Sequence, residues 1–184
     1  YIETIRAHPA TPFLLHHSAP SLGDFNHPEF LERVEAFDKI LKGKYGQQLD
    51  AFVLNDGWDD FQTDLWGIDK NRFPQNFNPI ADALHKIGAR LGLWISPWGG
   101  FDENLKQRAA LANRLGYEVA GQSLCLAGEK YRARFVERAT QYAREYDIKF
   151  FNLDGVLSSC NYSEHGHLPG RFSRRALIQR FMEV

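Results

Sequence analysis

The sequence has few cysteines, almost no net charge and no long apolar run, and each of these features excludes certain classes of protein. Cys125 and Cys160 are its two cysteines, too few for the disulfide framework of a small secreted domain, although they suffice for one bridge or for two free thiols. A formal net charge of −1 gives no basic surface for nucleic acid or for an anionic membrane. No apolar run reaches the roughly 20 residues that a membrane span needs, and residues 1–10 lack the apolar core of a signal peptide.

Aromatic residues, in contrast, are plentiful, at 14% of the 184 residues. Several lie beside Gly, Pro or Asp at the ends of segments rather than inside periodic stretches. Flat aromatic faces at such positions suit the binding of a sugar ring. The overall composition is that of one globular domain, so a neutral partner such as a carbohydrate is favoured over nucleic acid or membrane. No cofactor is expected.

The chain repeats a short apolar run, a polar or glycine-marked turn and an amphipathic stretch, which is typical of βα units on a parallel sheet. The predicted strands are residues 12–15, 51–54, 91–95 and 148–151. The predicted helices are residues 28–42, 78–89, 103–115, 130–146 and 172–182. Gly43 is the predicted end of the first helix. Residues 98–128 read as an insertion with a short extended piece at 117–120.

This order predicts an α/β fold, the first four to five units of a (β/α)8 TIM barrel. A barrel of this kind needs about 250 residues, so residues 1–184 are predicted to be part of a catalytic barrel domain whose remaining strands lie beyond residue 184. The chain starts at Tyr1 rather than at Met, which also indicates a longer protein. Because a partial barrel leaves a strand edge uncovered, we expect poor solubility of residues 1–184 alone.

Polar side chains follow each predicted strand, and in a parallel barrel the carboxyl ends of the strands share one face. These ends read His16-His17-Ser18, Asn55-Asp56-Gly57-Trp58, Ser96-Pro97-Trp98 and Asn152-Leu153-Asp154-Gly155. A carboxylate there can attack an anomeric carbon while a second one, about 5 Å away, protonates the leaving oxygen. The sequence therefore predicts a sugar site, with His17 among the groups that contact the sugar.

Four segments resemble, in the same order along the chain, motifs of the α-galactosidase clan of glycoside hydrolases, families 27 and 36. They are Leu54-Asn-Asp-Gly-Trp58, Arg72-Phe-Pro74 followed by His85-Lys-Ile-Gly88, Leu91-Gly-Leu-Trp-Ile-Ser-Pro-Trp98, and Tyr146-Asp-Ile-Lys-Phe-Phe-Asn-Leu-Asp154-Gly155. The resemblance implies a retaining α-glycosidase acting on an oligosaccharide or glycoconjugate. It makes Asp154 the nucleophile, assigns Asp56 and Trp58 to the sugar subsite and places Trp98 beside it. The clan's acid/base aspartate would lie beyond Val184.

Two positions depart from the clan's pattern. Asn55 stands where the clan usually has an acid, and Asn152 stands where it usually has a lysine. Both amides can still bind hydroxyls, so both remain predicted substrate-binding residues. Their neutrality leaves open a catalytically inactive carbohydrate-binding barrel, and a barrel enzyme of another chemistry, such as a phosphate-utilising one, is a third alternative. Cys125 lies in a segment similar to a loop that family 27 bridges to a cysteine after its nucleophile, but Cys160 is displaced from that place.

Structural explanations compete for several of these residues. Asp154 could cap a helix, Asp56 could form an Asx-turn, and the acids Asp59, Asp60 and Asp64 are predicted to be solvated rather than to bind calcium. Trp66 and Trp94 are predicted to pack in the core.

The sequence predicts no metal site. His16-His17 and His165-x-His167 have no third ligand at a supporting spacing. The compartment stays open, with a secreted or periplasmic location favoured over the cytoplasm.

Overall fold

A computed structural model of the protein describes residues 14–17, 26–155 and 157–184. The strands are β1 (Leu15–His17), β2 (Ala51–Leu54), β3 (Arg90–Ile95), β4 (Val119–Ala120), β5 (Ser123–Leu124) and β6 (Phe150–Leu153). The helices are α1 (His27–Tyr45), α2 (Asn78–Lys86), α3 (Asp102–Arg114), α4 (Glu129–Glu145) and α5 (Ser173–Met182), with a short 3-10 turn at Ser163–His165. Apart from the consecutive strands β4 and β5, strands and helices alternate, as the sequence predicts.

The main sheet is parallel, with four strands in the order β1-β2-β3-β6. The register pairs Ala51 with Arg90 and Gly92 with Phe150. This arrangement confirms the α/β class and the parallel half-barrel sheet, while a closed eight-stranded barrel stays a prediction. Strands β4 and β5 form a separate antiparallel hairpin within the predicted insertion, where the short extended piece was expected.

The core lies between the sheet and its helices. Strand β2 and all but the first residue of β3 are buried, as expected for apolar strands that are covered on both faces. Aromatic rings fill the space beyond the strand ends, where Trp58 packs edge-on against Phe77 and Tyr142 at centroid distances of 5.7 and 5.6 Å. The high aromatic content therefore serves the core as well as the strand ends.

The predicted helices are confirmed, with corrections at the end of α2, which stops at Lys86 rather than at residue 89, and at the end of α1. Gly43 does not end this helix, which continues to Tyr45. Gly46 takes the left-handed conformation, with φ +62°, and its N–H donates to the carbonyl of Lys42 while Gln47 N–H donates to that of Leu41. A glycine in this conformation ends a helix because it has no side chain to clash.

Two strands are displaced from their predicted positions. Strand β6 begins at Phe150 rather than at residue 148, because pairing with β3 sets its register. The first strand was predicted at 12–15, of which residues 12 and 13 lie outside the described residues, and the observed β1 includes both histidines. Among the helices that the structure describes, none combines the length and the apolar character needed to cross a bilayer.

Candidate functional site

A cavity of about 500 Å³ opens at the carboxyl ends of the four parallel strands. Its size is in the range of small-molecule sites. The lining residues are His17, Asn55, Asp56, Trp94, Phe101, Asp102, Glu103, Asn104 and Asp154. Each of the four strands thus contributes a side chain, from its end or from the residues just after it, and the start of α3 completes the rim.

Asp154 is fixed by three contacts with the neighbouring strand. Its backbone N–H donates to the carbonyl of Ile95 at 3.1 Å, and its carbonyl accepts from the Ser96 hydroxyl at 2.6 Å. Its carboxylate accepts the indole N–H of Trp94, with 3.0 Å between Nε1 and Oδ2. A hydrogen bond to a carboxylate is among the stronger ones in proteins, so the carboxylate is held in one orientation while it lines the cavity.

Asp56 is anchored by a buried arginine from α3. The guanidinium of Arg108 donates to Oδ1 of Asp56, to both carboxylate oxygens of Asp59 at 2.7 and 2.6 Å, and to the carbonyl of Gly99 at 2.9 Å. Burial acts to lower the pKa of Arg108, but the charges and hydrogen bonds of the two aspartates outweigh it and raise that pKa. The side chain of Asp56 remains 16% exposed and lines the cavity from this fixed position.

The prediction that Asp59 is solvated is wrong. The residue is 1% exposed because it is the main partner of the buried Arg108. Asp64 is also engaged, by Arg134 and Arg138. A single sequence gives no local signal for such pairs, because the arginines lie on helices far along the chain.

His17 and Asn55 lie together beside the nucleophile candidate. Burial lowers the pKa of His17, while a hydrogen bond with Asn55 and the negative charge of Asp154 oppose the shift. A neutral imidazole has one donor and one acceptor nitrogen, which suits contact with a sugar hydroxyl. His16 points elsewhere and packs against Phe37, with ring centroids 4.2 Å apart.

Trp58 and Trp94 exchange the positions that the sequence assigns to them. Trp58, predicted to bind sugar, is 1% exposed and does not line the cavity. Its Nε1 donates to the carbonyl of Trp94 at 2.8 Å, because the turn at Gly57 directs the indole into the aromatic core. Trp94, predicted to pack in the core, is 2% exposed yet lines the cavity and contacts Asp154.

Trp98 and Asn152 lie next to the cavity rather than in its lining. Trp98 packs against Phe101 at 5.3 Å, and its Nε1 would be 2.5 Å from a Cβ atom added at Gly155. Asn152 lies in β6 and pairs in register with Trp94, two residues before Asp154, which follows the strand. The rim residues at the start of α3 were not predicted. The sequence feature that could have indicated them is the Gly99-Gly100 pair directly before a helix that begins with acidic residues.

The described residues bring one group of potential metal ligands together, and it lies outside the cavity: Cys125, Cys160, His165 and His167. Both cysteines are buried free thiols.

No family model matches the chain. A curated relative, Alpha-galactosidase Mel36A of Lactobacillus acidophilus, is 32% identical over 92 residues, which are 47% of this chain and 12% of that protein. Among solved structures, the galactosidase domain of the alpha-galactosidase-sucrose kinase AgaSK has a TM-score of 0.63 at 16% identity, over 95% of this chain and 25% of its own. A variant of the family 36 alpha-galactosidase AgaA from Geobacillus stearothermophilus, in complex with raffinose, has a TM-score of 0.60 at 17% identity, over 94% of this chain and 24% of its own.

These similarities agree with the motifs. The chain spans about an eighth of the curated relative, and the solved structures, at these identities, show the fold alone. The resemblance to the α-galactosidase-like glycoside hydrolases is confirmed.

Proposed function

We propose that this chain, as a relative of the α-galactosidases, carries the nucleophile side of a retaining α-glycosidase active site. The observation that supports the proposal best is the position of Asp154, a carboxylate held at a strand end and lining an open cavity. Polar groups from the other three strands surround it, as in the active sites of parallel barrels.

In the proposed reaction Asp154 attacks the anomeric carbon of a terminal α-linked sugar. The new ester bond to the carboxylate forms as the glycosidic bond breaks, and the leaving oxygen takes a proton from a second carboxylic acid. Water then attacks the glycosyl ester and releases Asp154. Asp56 is unsuited to donate the proton because Arg108 already engages its carboxylate. We therefore propose that an aspartate beyond Val184 is the acid/base.

The neighbouring groups suit the hydroxyls of a sugar. Asp56 accepts hydrogen bonds, and His17 and Asn55 can each donate and accept. The proposed substrate is an oligosaccharide or glycoconjugate with a terminal α-galactoside, in line with the names of the curated relatives and with the raffinose bound in a solved neighbour.

The experiment is a comparison of initial rates on the full-length protein, with a panel of nitrophenyl α-glycosides. We expect turnover of the α-galactoside, a loss of at least about 10³-fold in Asp154→Ala because the nucleophile is gone, and partial rescue by azide. The rescued product should be a glycosyl azide of inverted anomeric configuration, because azide attacks from the face that Asp154 occupied. Asp60→Ala, a carboxylate outside the cavity that bonds Gln62, should keep the wild-type rate.

A second candidate is a catalytically inactive carbohydrate-binding barrel. It is favoured by the neutral Asn55, which is buried where the resemblance leads one to expect an acid. Galactoside binding by the wild type without turnover, and unchanged by Asp154→Asn, would replace the enzyme proposal by this one. Wild-type turnover that survives Asp154→Ala would contradict the assigned nucleophile.

A further inference from the structure

We propose that Cys125, Cys160, His165 and His167 form a zinc site. Each offers one ligand atom, and these four atoms lie within 4.8 Å of one another. The Sγ of Cys125 is 3.4 Å from Nε2 of His167, and the Sγ of Cys160 is 3.3 Å from Nδ1 of His165. Tetrahedral zinc, with bonds of about 2.3 Å to sulfur and 2.0–2.1 Å to nitrogen, spaces its ligand atoms roughly 3.3–3.8 Å apart. Shifts of about 1 Å or less therefore close the site around the ion.

Three of the four ligands lie on one short closed loop. The N–H of Gly170 donates to the carbonyl of Cys160 at 2.8 Å and joins the ends of the loop. The Ser173 hydroxyl accepts the Cys160 N–H at 2.8 Å and donates to the Gly170 carbonyl at 2.6 Å. Between these ends, a 3-10 turn carries His165. These hydrogen bonds hold the two ends of the loop together, as a chelating loop requires.

Cys125 approaches from a different loop, just after β5. Its carbonyl accepts the N–H of Gly128 at 2.9 Å, which holds the turn. Cys125 and Cys160 pack with Ala127 and Leu177 in a small apolar cluster. An apolar shell of this kind keeps water from a metal site.

The ring of His167 is oriented for metal binding. Its Nδ1 lies 2.9 Å from the carbonyl of Leu168, and only a protonated nitrogen can bond a carbonyl. Nε2 therefore carries the lone pair, and this is the nitrogen beside Cys125. A backbone carbonyl bonded to the second nitrogen is the usual support of a metal-binding histidine. Tyr162 stacks on His165 at 5.2 Å and fixes the second ring.

Zinc fits this set better than other common ions. Two thiolates and two imidazoles in tetrahedral positions are typical of Zn²⁺. The two thiolate charges balance the ion, so the buried cluster is neutral. Four protein ligands leave no open position, which assigns the site a structural role rather than a catalytic one.

The proposed ion would hold the segment that follows Asp154 against the loop after β5. Strand β5, which leads directly into that loop, contacts the active-site side of the fold, because the N–H of Leu124 donates to the Trp98 carbonyl at 2.8 Å. The site would thus limit movement of the chain on both sides of the nucleophile. The inference does not rest on the proposed function and holds for a binding protein as well.

The test is the metal content of the full-length protein, purified without chelator and measured by elemental mass spectrometry. We expect wild type to hold one zinc more per chain than Cys160→Ser, Cys125→Ser or His167→Ala. The matched control is His85→Ala, since His85 is an exposed histidine on α2 and its loss should leave the zinc content at the wild-type value. Equal zinc content in wild type and in the cysteine variants would overturn the proposal.

A second measurement does not depend on the folding of variants. Wild type stripped by a chelator and loaded with Co²⁺ should show thiolate charge-transfer and tetrahedral d–d absorption, saturating at one ion per site and abolished by added Zn²⁺. Peptide mapping of the untreated protein tests the competing possibility, in which the two cysteines form a disulfide bond. A disulfide between Cys125 and Cys160 in protein prepared with zinc present, or the absence of cobalt–thiolate bands, would overturn the proposal.

Discussion

Trp94 connects the core of the molecule to the proposed nucleophile. Its indole N–H bonds the carboxylate of Asp154 at 3.0 Å. In Trp94→Phe a smaller aromatic ring is kept and this donor is lost. This bond holds the carboxylate in one orientation, and a displaced nucleophile can lose up to about 100-fold in rate. We therefore expect kcat of the full-length protein on its best nitrophenyl α-glycoside to fall by roughly 10- to 100-fold.

Trp66→Phe is the matched control for this change. Trp66 is also buried, but its indole donates to the Tyr131 hydroxyl at 3.2 Å rather than to Asp154. A phenyl ring at this position keeps an aromatic face for the guanidinium of Arg108, which lies 4.5 Å from the centroid of the Trp66 ring. We expect it to lower the melting temperature and to leave kcat within about twofold of wild type, a change much smaller than the loss of the bond to Asp154 should produce. Equal losses of kcat in both variants would show that Trp94 acts through packing.

Arg108 determines the position of Asp56, and Arg108→Lys tests this role. A lysine keeps the charge but lacks the planar fork that reaches both Asp56 and Asp59. At least one buried oxygen then loses its donor, at about 1–3 kcal/mol. We expect a lower melting temperature together with KM raised several-fold, measured by steady-state kinetics.

Arg134→Lys supplies the comparison for Arg108. Arg134 pairs with Asp64, outside the cavity. We expect this variant to lose stability and to keep the wild-type KM. If KM were unchanged in Arg108→Lys as well, the position of Asp56 would not matter for substrate binding.

Part of the site could be predicted at the level of single residues. His17, Asn55, Asp56 and Asp154 share the cavity because parallel strands end on one face, and this follows from the strand pattern alone. The direction of Trp58 did not follow, because it depends on the turn at Gly57 and on the space left by the rings of Phe77, just before α2, and of Tyr142 on α4. The sugar-binding roles themselves stay predictions.

The turn between β3 and α3 places the rim of the cavity. Gly100 has φ +94°, and a Cβ atom there would lie 2.7 Å from Nη1 of Arg108 and 2.8 Å from Cη2 of Trp94. Gly100→Ala adds both backbone strain and a clash with two residues of the site. We expect a loss of stability above the roughly 1–2 kcal/mol of left-handed strain alone and a marked fall in kcat/KM.

Gly116→Ala is the matched control, because it adds the left-handed backbone strain without a clash. Gly116 has φ +78°, and a Cβ atom there would meet nothing within 4 Å. We expect chemical denaturation to show a loss of about 1–2 kcal/mol, with kcat/KM unchanged. If Gly100→Ala behaved in the same way, the turn would not determine the shape of the cavity.

Elements with a strong apolar pattern were predictable, and elements set by pairing were not. Strand β2 and the helices follow local periodicity, so their predicted positions hold apart from the ends of α1 and α2. The start of β6 depends on its register with Gly92 of β3, which no local pattern encodes. The ligand cluster was missed for the same reason. Cys160, His165 and His167 are close in sequence, but Cys125 reaches them only through the packing of β5 beside the later loop.

At the scale of the molecule, the sheet is open. Among the residues that the structure describes, β1 and β6 each pair with a single strand, and unpaired strand edges promote association between chains. We expect residues 1–184 expressed alone to form concentration-dependent oligomers, measured by light scattering after size exclusion. A monomer with a cooperative thermal transition would contradict this expectation.

A second surface could cause the same association, and a variant separates the two. Leu168, Phe172 and Ile178 line an apolar cavity near α5 and are exposed, and an exposed apolar patch also promotes self-association. Replacement of Phe172 and Ile178 by lysine removes the patch and leaves the strand edges intact. If the edges are the cause, this double variant of residues 1–184 should still oligomerise, whereas conversion to a monomer would assign the association to the face of α5. We propose that later strands cover β6 in the full-length protein. If exposed strand edges cause the association, the full-length protein should then have the same oligomeric state with and without the two lysines.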